Sequence, residues 1–102
     1  MNKIISYLGF AQRSNNCVMG QTALKKCLKQ LHLVIVCDTA SLNLKNLAKN
    51  LANKHKCELI ISQVELKTLL NKNDIKIVGI TDENLSKAIV DNKEKISLGK
   101  RN

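Results

Sequence analysis

The stretch Leu33-Val34-Ile35-Val36-Cys37 is an unbroken apolar run with the length of a β-strand. Strands that are covered on both faces have continuous apolar sequences of this kind, so the run predicts a buried central strand. The turn Asp38-Thr39-Ala40-Ser41 follows it and offers side chains that can cap a helix. Apolar residues then recur at helical spacing, which predicts a long helix with one buried face. That face consists of Leu44, Leu47, Ala48, Leu51 and Ala52.

On both sides of this unit, segments with helical spacing alternate with short apolar runs. Further helices are predicted at residues 3–12, at 20–31, after the capping box Ser62-Gln63-Val64-Glu65, and from Thr81-Asp82-Glu83 onward. Further strands are predicted at residues 17–19, 59–61 and 75–80. The helix at 20–31 is expected to bury Leu24, Cys27, Leu28 and Leu31. This alternation predicts an α/β protein, a three-layer α/β/α sandwich with a small mixed central sheet.

The length of 102 residues fits one domain and is too short for two. We expect a single α/β domain over residues 1–90 and a charged, frayed tail over residues 91–102. No apolar run approaches the roughly 18 residues of a membrane span, and no secretory signal is apparent, so we expect a cytoplasmic protein. The cysteines are Cys17, Cys27, Cys37 and Cys57. They have no C-x-x-C spacing, which favours reduced, buried thiols over a metal site or disulfides.

Positive charge is concentrated in the first half of the chain. Residues 1–56 hold nine basic residues and one acidic residue, Asp38, whereas residues 57–102 hold eight basic and seven acidic residues. The net charge is therefore +8 in the first part and +1 in the second. Such asymmetry indicates a surface that faces a polyanion. The alternative is a compositional bias toward lysine, which accounts less well for the shortage of acidic residues.

The motifs of common enzyme families are missing from the sequence. The glycines Gly9, Gly20, Gly79 and Gly99 form neither a dinucleotide-binding fingerprint nor a phosphate-binding P-loop. The imidazoles, His32 and His55, are interpreted as surface or capping groups, and Asp38 as a turn residue. The sequence therefore predicts a protein that is not an enzyme and that uses no cofactor and no metal.

One segment combines positive charge with an accessible backbone, namely Gly20-Gln21-Thr22-Ala23-Leu24-Lys25-Lys26. It begins a predicted helix, where free N–H groups attract anions, and its glycine allows a phosphate to approach closely. Gln21 and Thr22 can donate hydrogen bonds, Lys25 and Lys26 supply charge, and Arg13 with Ser14 extends the patch. An ordinary amphipathic helix that begins at a glycine is the alternative interpretation.

The chain resembles the bacterial YlxQ-type proteins, which belong to the ribosomal L-seven-Ae superfamily together with the kink-turn-binding proteins. The resemblance extends from about Ile5 to Ile89, and it depends on the order and spacing of several short pieces. These are Leu8-Gly9-Phe10-Ala11-Gln12-Arg13, Val18-Met19-Gly20, Lys26-Cys27-Leu28, the stretch from Leu33 to Asn43, Gly79-Ile80-Thr81-Asp82 and Ala88-Ile89.

The resemblance implies an α/β/α sandwich that binds structured RNA, with ribosomal RNA as one candidate and with neither DNA nor a membrane as a partner. In kink-turn binders the helix opens with G-x-N-E-x-x-K, and its Asn and Glu contact the sheared G·A pairs. Here Gly20 and Lys26 are kept, while Thr22 and Ala23 replace the Asn and the Glu. The expected RNA-binding residues are Arg13, Gly20, Gln21, Thr22, Lys25, Lys26, Thr39 and Lys72. The alternative function is a protein-interaction module on the same fold, with a decayed RNA site.

Overall fold

The computed structural model describes residues 3–97. The helices are α1 (Lys3–Arg13), α2 (Gln21–Lys26), α3 (Leu42–His55), α4 (Leu66–Leu70), α5 (Glu83–Asp91) and α6 (Glu94–Ser97). The strands are β1 (Cys17–Met19), β2 (Leu33–Cys37), β3 (Glu58–Ser62) and β4 (Ile77–Ile80). No helix in this part of the chain is both long enough and apolar enough to cross a membrane.

The strands form one mixed sheet in the order β1-β4-β2-β3. The strand β2 pairs in parallel with β3, Leu33 lying opposite Glu58, and antiparallel with β4, Leu33 lying opposite Ile80. All five residues of β2 are buried, as the apolar run predicted. The α/β sandwich with a small mixed sheet is therefore confirmed, and β2 is one of its two inner strands.

Helices cover the sheet on both faces. On one face α1 packs against α4 and α5, and the backbone N–H of Leu66 in α4 donates to Cys37 Sγ of β2. On the other face α2 lies over β1 and β4, with Leu24 and Leu31 against Gly79 of β4. The crossover helix α3 covers β2 and β3, and His55 at its end accepts a hydrogen bond from Leu31 N. We call α2, α3 with its cap residue Lys56, and the loop 27–32 the α2–α3 layer.

The second helix is shorter than the sequence pattern predicted. It ends at Lys26, because Cys27 is extended with φ −70° and ψ 124°. An extended loop then carries Leu31 into the core, and His32 N bonds to Ile80 O at 2.7 Å. The side chain of Leu28, which was expected on the buried face of a helix, is instead fully exposed at 101%. The prediction of a helix over residues 20–31 was therefore wrong beyond Lys26.

Because Leu28 contributes no buried area, its replacement has little effect on folding. We expect Leu28→Ser to change the free energy of unfolding by less than about 0.5 kcal/mol, as for other surface substitutions. Urea unfolding followed by circular dichroism measures this directly. A loss of about 2 kcal/mol or more would show that Leu28 is buried in solution.

The capping box predicted at Ser62 does not form. Ser62 is the last residue of β3, and its hydroxyl bonds to the backbone N and O of Val64 at 3.2 and 2.6 Å. Glu65 instead occupies the cap position of α4 without a side-chain cap bond. At α5 the expected cap is present, since the Asp82 carboxylate accepts from Leu85 N at 2.8 Å.

The segment after α5 was predicted to be frayed, and this prediction was wrong for residues 91–97. They continue into α6, where Ile96 is fully buried. The carbonyl oxygen of Ile96 accepts from Gln63 N at 2.7 Å, which joins α6 to the end of β3. Burial of the Ile96 side chain therefore anchors α6 to the domain, although the rest of this segment is polar. Residues 98–102 of the predicted tail lie outside the described residues.

Candidate functional site

Three backbone hydrogen bonds bring the predicted site residues to one end of the sheet. Gly20 N donates to Ile77 O at 3.0 Å, and Cys37 N donates to Lys76 O at 2.8 Å. The third bond, from Asp38 N to Ser62 O at 2.7 Å, adds the end of β3. The start of α2, the turn with Thr39 and the loop 71–76 therefore meet at this end of the sheet, which we call the α2 end.

The start of α2 has the accessible backbone that the sequence predicted. Gly20 adopts φ 89° and ψ 155°, a conformation that favours glycine, and no atom lies within 4 Å of the position of a Cβ. No side chain caps this helix. Gln21, Thr22, Lys25 and Lys26 are all exposed. The structure thus places five of the eight expected residues together on one accessible surface.

Thr39 is not a free donor at the α2 end, because it belongs to a polar triad. Its hydroxyl donates to Glu65 Oε2 at 2.7 Å, and Lys76 Nζ donates to Thr39 Oγ1 at 2.9 Å and to Glu65 Oε1 at 3.1 Å. These hydrogen bonds from Thr39 and Lys76 hold the pKa of Glu65 below its usual range. Sequence reasoning missed Glu65 and Lys76, which are 26 and 37 positions from Thr39. The parallel pairing of β2 with β3 brings Glu65 close to Thr39, and the antiparallel pairing of β2 with β4 brings Lys76 there.

Arg13 and Lys72 belong to segments other than the start of α2. Arg13 is exposed at the end of α1 and is separated from Gly20 by the turn 14–16 and the whole of β1. Its neighbour Gln12 donates to Leu70 O at 3.4 Å, so the end of α1 lies beside the end of α4. Lys72 is exposed immediately after α4, in the loop that leads to Lys76. Lys72 therefore belongs to the loop at the α2 end, whereas Arg13 precedes the start of β1, which lies beside Thr81 at the other end of the sheet, and does not flank Gly20.

The charge asymmetry of the sequence maps onto the α2–α3 layer. Between residues 20 and 56 the chain has seven lysines and one acidic residue, Asp38, whose Oδ1 is 3.9 Å from Lys45 Nζ. The seven are Lys25, Lys26, Lys29, Lys45, Lys49, Lys54 and Lys56, of which Lys45 is half-buried and the others are exposed. The remaining acidic residues lie at β3, before α4 and β4, and along α5 and α6. One layer is thus almost purely cationic.

His55 has a structural role at the opposite end of the sheet. Its Nδ1 accepts from Leu31 N at 3.1 Å, which requires a neutral ring with its proton on Nε2. Burial, followed by the positive charges of Lys54 and His32, lowers the pKa of His55 below 6.5. The imidazole therefore anchors the loop 27–32 to the end of α3 in its neutral form.

Acidification is expected to weaken folding through His55. The His55 imidazole takes up a proton more readily in the unfolded chain than in the folded one. Its contribution to the free energy of unfolding is therefore complete above pH 6.5, and it is lost as the pH falls through the lower pKa that His55 has in the folded protein. We expect the urea midpoint of the wild type to fall between about pH 7.5 and 5.5, and that of His55→Asn, whose amide oxygen can accept from Leu31 N, to fall less. His55→Ala should cost about 1–3 kcal/mol at about pH 7.5, because the Leu31 N–H loses its acceptor, and less at about pH 5.5, where protonation begins to remove that acceptor from the wild type. Identical pH profiles for wild type and His55→Asn would contradict this role.

The cysteines are all free thiols. Cys37 is buried, as predicted, whereas Cys17, Cys27 and Cys57 are half-buried. Burial raises the pKa of Cys17 to about 12, so that this thiol stays protonated and unreactive. Within residues 3–97, no cluster of three or more His, Cys, Asp or Glu side chains is arranged to hold a metal ion.

Comparison with known proteins defines the fold but not the family. No family model matches the chain, and no curated protein matches it. Among solved structures, the chain is similar to a protein with unknown function from Bacillus halodurans C, with a TM-score of 0.76 and 19% sequence identity. The match covers 92% of this chain and 99% of that chain. At this identity the likeness supports the α/β sandwich alone.

Proposed function

We propose that this protein binds structured RNA through the α2–α3 layer and the adjoining α2 end of the sheet. The observation that carries the proposal is the cationic α2–α3 layer, which holds seven lysines and no acidic residue, with Asp38 in the adjoining turn. Lysines that neutralise phosphates release counterions, which gives affinity for any nucleic acid. A surface that includes the exposed backbone at Gly20 adds a point where a phosphate can approach closely.

The composition of the surface favours recognition of RNA shape over stacking on single-stranded bases. The chain has only two aromatic residues, Tyr7 and Phe10, and both lie on α1, outside the α2–α3 layer. Proteins that bind single strands stack bases mainly on Phe, Tyr and Trp side chains, and this layer has none of the three. Folded RNA is instead recognised through its backbone geometry and its 2′-hydroxyl groups. Lysines spread over two helices suit this mode of binding.

The resemblance to kink-turn-binding proteins gives the proposal a more specific form. Gly20 and Lys26 are kept from the family pattern; Lys26 and Thr22 are exposed on α2, and Gly20 is half-buried at its start. Ala23 offers no acceptor for a guanine, so contacts to the sheared pairs would be fewer than in that family. We propose that bent, structured RNA, with ribosomal RNA as one candidate, binds in the cytoplasm mainly through its phosphates.

Fluorescence anisotropy with three labelled nucleic acids tests this proposal. We expect a folded RNA hairpin with an internal bend to bind more tightly at moderate salt than a DNA hairpin of the same sequence. An unstructured RNA strand of the same base composition should bind as weakly as the DNA. Equal affinity for all three, falling steeply with salt, would leave only non-specific charge attraction and would overturn the proposal.

A protein-interaction module on the same fold is the competing function. The observation that favours it is Ala23, which removes the side chain that the kink-turn binders use for guanine. This alternative predicts no preference among the three nucleic acids of the anisotropy experiment. The same measurement therefore decides between the two functions.

A further inference from the structure

A pocket of about 310 Å³ lies at the end of the sheet opposite to the α2 end. Its walls come from the loop 27–32, the last turn of α3, the start of β3 and one side of α5, including Leu31, His55, Lys56, Ser86, Lys87 and Val90. Pockets that bind small molecules begin at about this volume and combine apolar walls with a few polar groups. The pocket thus joins the α2–α3 layer to α5, and none of the expected RNA-binding residues lines it.

The hydroxyl of Ser86 marks this pocket as a binding site. Ser86 is only 3% exposed, and its Oγ has no hydrogen-bond partner among residues 3–97. A helical serine commonly donates to the carbonyl oxygen four residues earlier, but Asp82 O accepts only the backbone N–H of Ser86, at 3.0 Å. Buried polar side chains without a partner are rare in folded proteins. A polar ligand in the pocket would supply the missing partner.

The other polar groups of the pocket define the chemistry of that ligand. Because His55 Nδ1 is occupied by Leu31 N, its Nε2–H is the donor that remains. Glu58 is neutralised by Lys93 at 3.1 Å, which leaves the cations Lys56 and Lys87 beside Glu83 and Asp91. This near-neutral lining does not suit a polyanion. It suits an uncharged ring that can both donate and accept, attached to a single phosphate that a lysine at the rim can neutralise.

We propose that this pocket binds a nucleotide, with the base beside Ser86 and His55 and the phosphate directed toward Lys56. Leu31 and Val90 supply apolar walls for the ring. The nucleotide can come from two sources, either a free nucleoside monophosphate or an unpaired nucleotide of a bound RNA. The second source rests on the proposed RNA-binding function, because His55 and Lys56 also form the end of the cationic layer. RNA-binding proteins commonly capture single unstacked bases in this way.

Amide chemical shifts of the ¹⁵N-labelled protein, titrated with adenosine 5′-monophosphate and with ribose 5-phosphate, test the pocket. We expect the adenosine nucleotide to shift residues 30–32, 55–58 and 86–91, and ribose 5-phosphate to shift them much less. Ser86→Ala should weaken nucleotide binding about three- to tenfold, the effect of one neutral hydrogen bond. Ser6→Ala, an exposed helical serine in α1, is the matched control and should bind as the wild type does.

Lys87→Ala provides a second variant, because this exposed side chain contributes nothing to the core. It should also weaken nucleotide binding while leaving the melting temperature unchanged. Equal shifts with both ligands, or shifts spread over the lysines of α2 and α3, would overturn the pocket proposal. So would unchanged affinity in Ser86→Ala.

Two RNAs distinguish the sources of the nucleotide. If Ser86→Ala weakens binding to a hairpin with one unpaired adenosine but not to a fully paired hairpin, the ligand is a nucleotide of the RNA. If the monophosphate binds and Ser86→Ala affects neither RNA, the ligand is the free nucleotide. Binding of the monophosphate by a protein that does not bind either RNA would support the pocket and overturn the proposed RNA-binding function.

Discussion

Removing the charges of Lys25 and Lys26 together is expected to weaken binding to folded RNA by about tenfold or more at moderate salt. Both side chains are exposed in the last turn of α2, next to the accessible backbone of Gly20. Each phosphate contact contributes roughly 0.7–0.9 to the slope of log affinity against log salt concentration. The double variant Lys25→Ala/Lys26→Ala should therefore lower that slope by roughly 1.4–1.8.

The control for this variant removes the same charge from elsewhere on the protein. Lys3 and Lys95 are exposed in α1 and α6, outside the α2–α3 layer. Lys3→Ala/Lys95→Ala should lose less than about threefold in affinity, since long-range attraction between exposed charges is screened by salt. If the two double variants lose affinity equally, the start of α2 is not the binding site. Circular dichroism would check that both variants remain folded.

Replacing Gly79 with a larger residue is expected to destabilise the fold, and the loss should grow with the size of the side chain. A Cβ at this position would lie 2.7 Å from Leu24 Cδ2 and 2.9 Å from Leu31 Cδ2, closer than packed carbon atoms allow. Both leucines are buried, so they have little space into which to move. Gly79→Ala should lower the free energy of unfolding by about 1–3 kcal/mol, and Gly79→Val by more. For a domain of this size, 1 kcal/mol corresponds to roughly 4–8 °C in the melting temperature.

A second glycine and a double variant identify the cause of this effect. Gly9 lies inside α1, where a Cβ would be 3.4 Å from the flexible Arg13 side chain, so Gly9→Ala should stabilise the protein by about 0.5–1 kcal/mol. If crowding against Leu24 is the cause, Gly79→Ala should cost less in a Leu24→Ala background than in the wild type. Strictly additive losses would show that Leu24 and the strand are not in contact as described.

The sequence predicted the parts of the fold that are determined by local apolar patterns. The run at β2 and the stripe of α3 have spacings that fit one kind of element each, and the structure has both. The end of α2 was not predictable in this way. Leu24 and Leu31 are both buried, but an extended loop between them satisfies the same spacing as a continuous helix. Hydrogen bonds from this loop to His55 and Ile80, which are distant in sequence, decide between the two.

The candidate site also contains both residues that are close in sequence and residues that only long-range pairing brings together. Gly20 and the exposed side chains after it are contiguous, so the sequence alone identified them. The triad of Thr39, Glu65 and Lys76 depends on strand order, and the pattern Ser62 to Glu65 suggested a local cap instead. The buried hydroxyl of Ser86 has no sequence signal, because a serine in an amphipathic helix ordinarily faces solvent. Long-range pairing and burial therefore limit what the sequence can reveal about this site.

The most direct test of RNA-shape recognition compares a kink-turn RNA with a matched straight duplex, each at low and at moderate salt. We predict that both RNAs bind at low salt and that the kinked RNA keeps a clear advantage when the salt concentration rises. That advantage should be lost in Lys25→Ala/Lys26→Ala. Equal binding to both RNAs, collapsing together as salt increases, would contradict the account and leave only a cationic surface without selectivity for RNA shape.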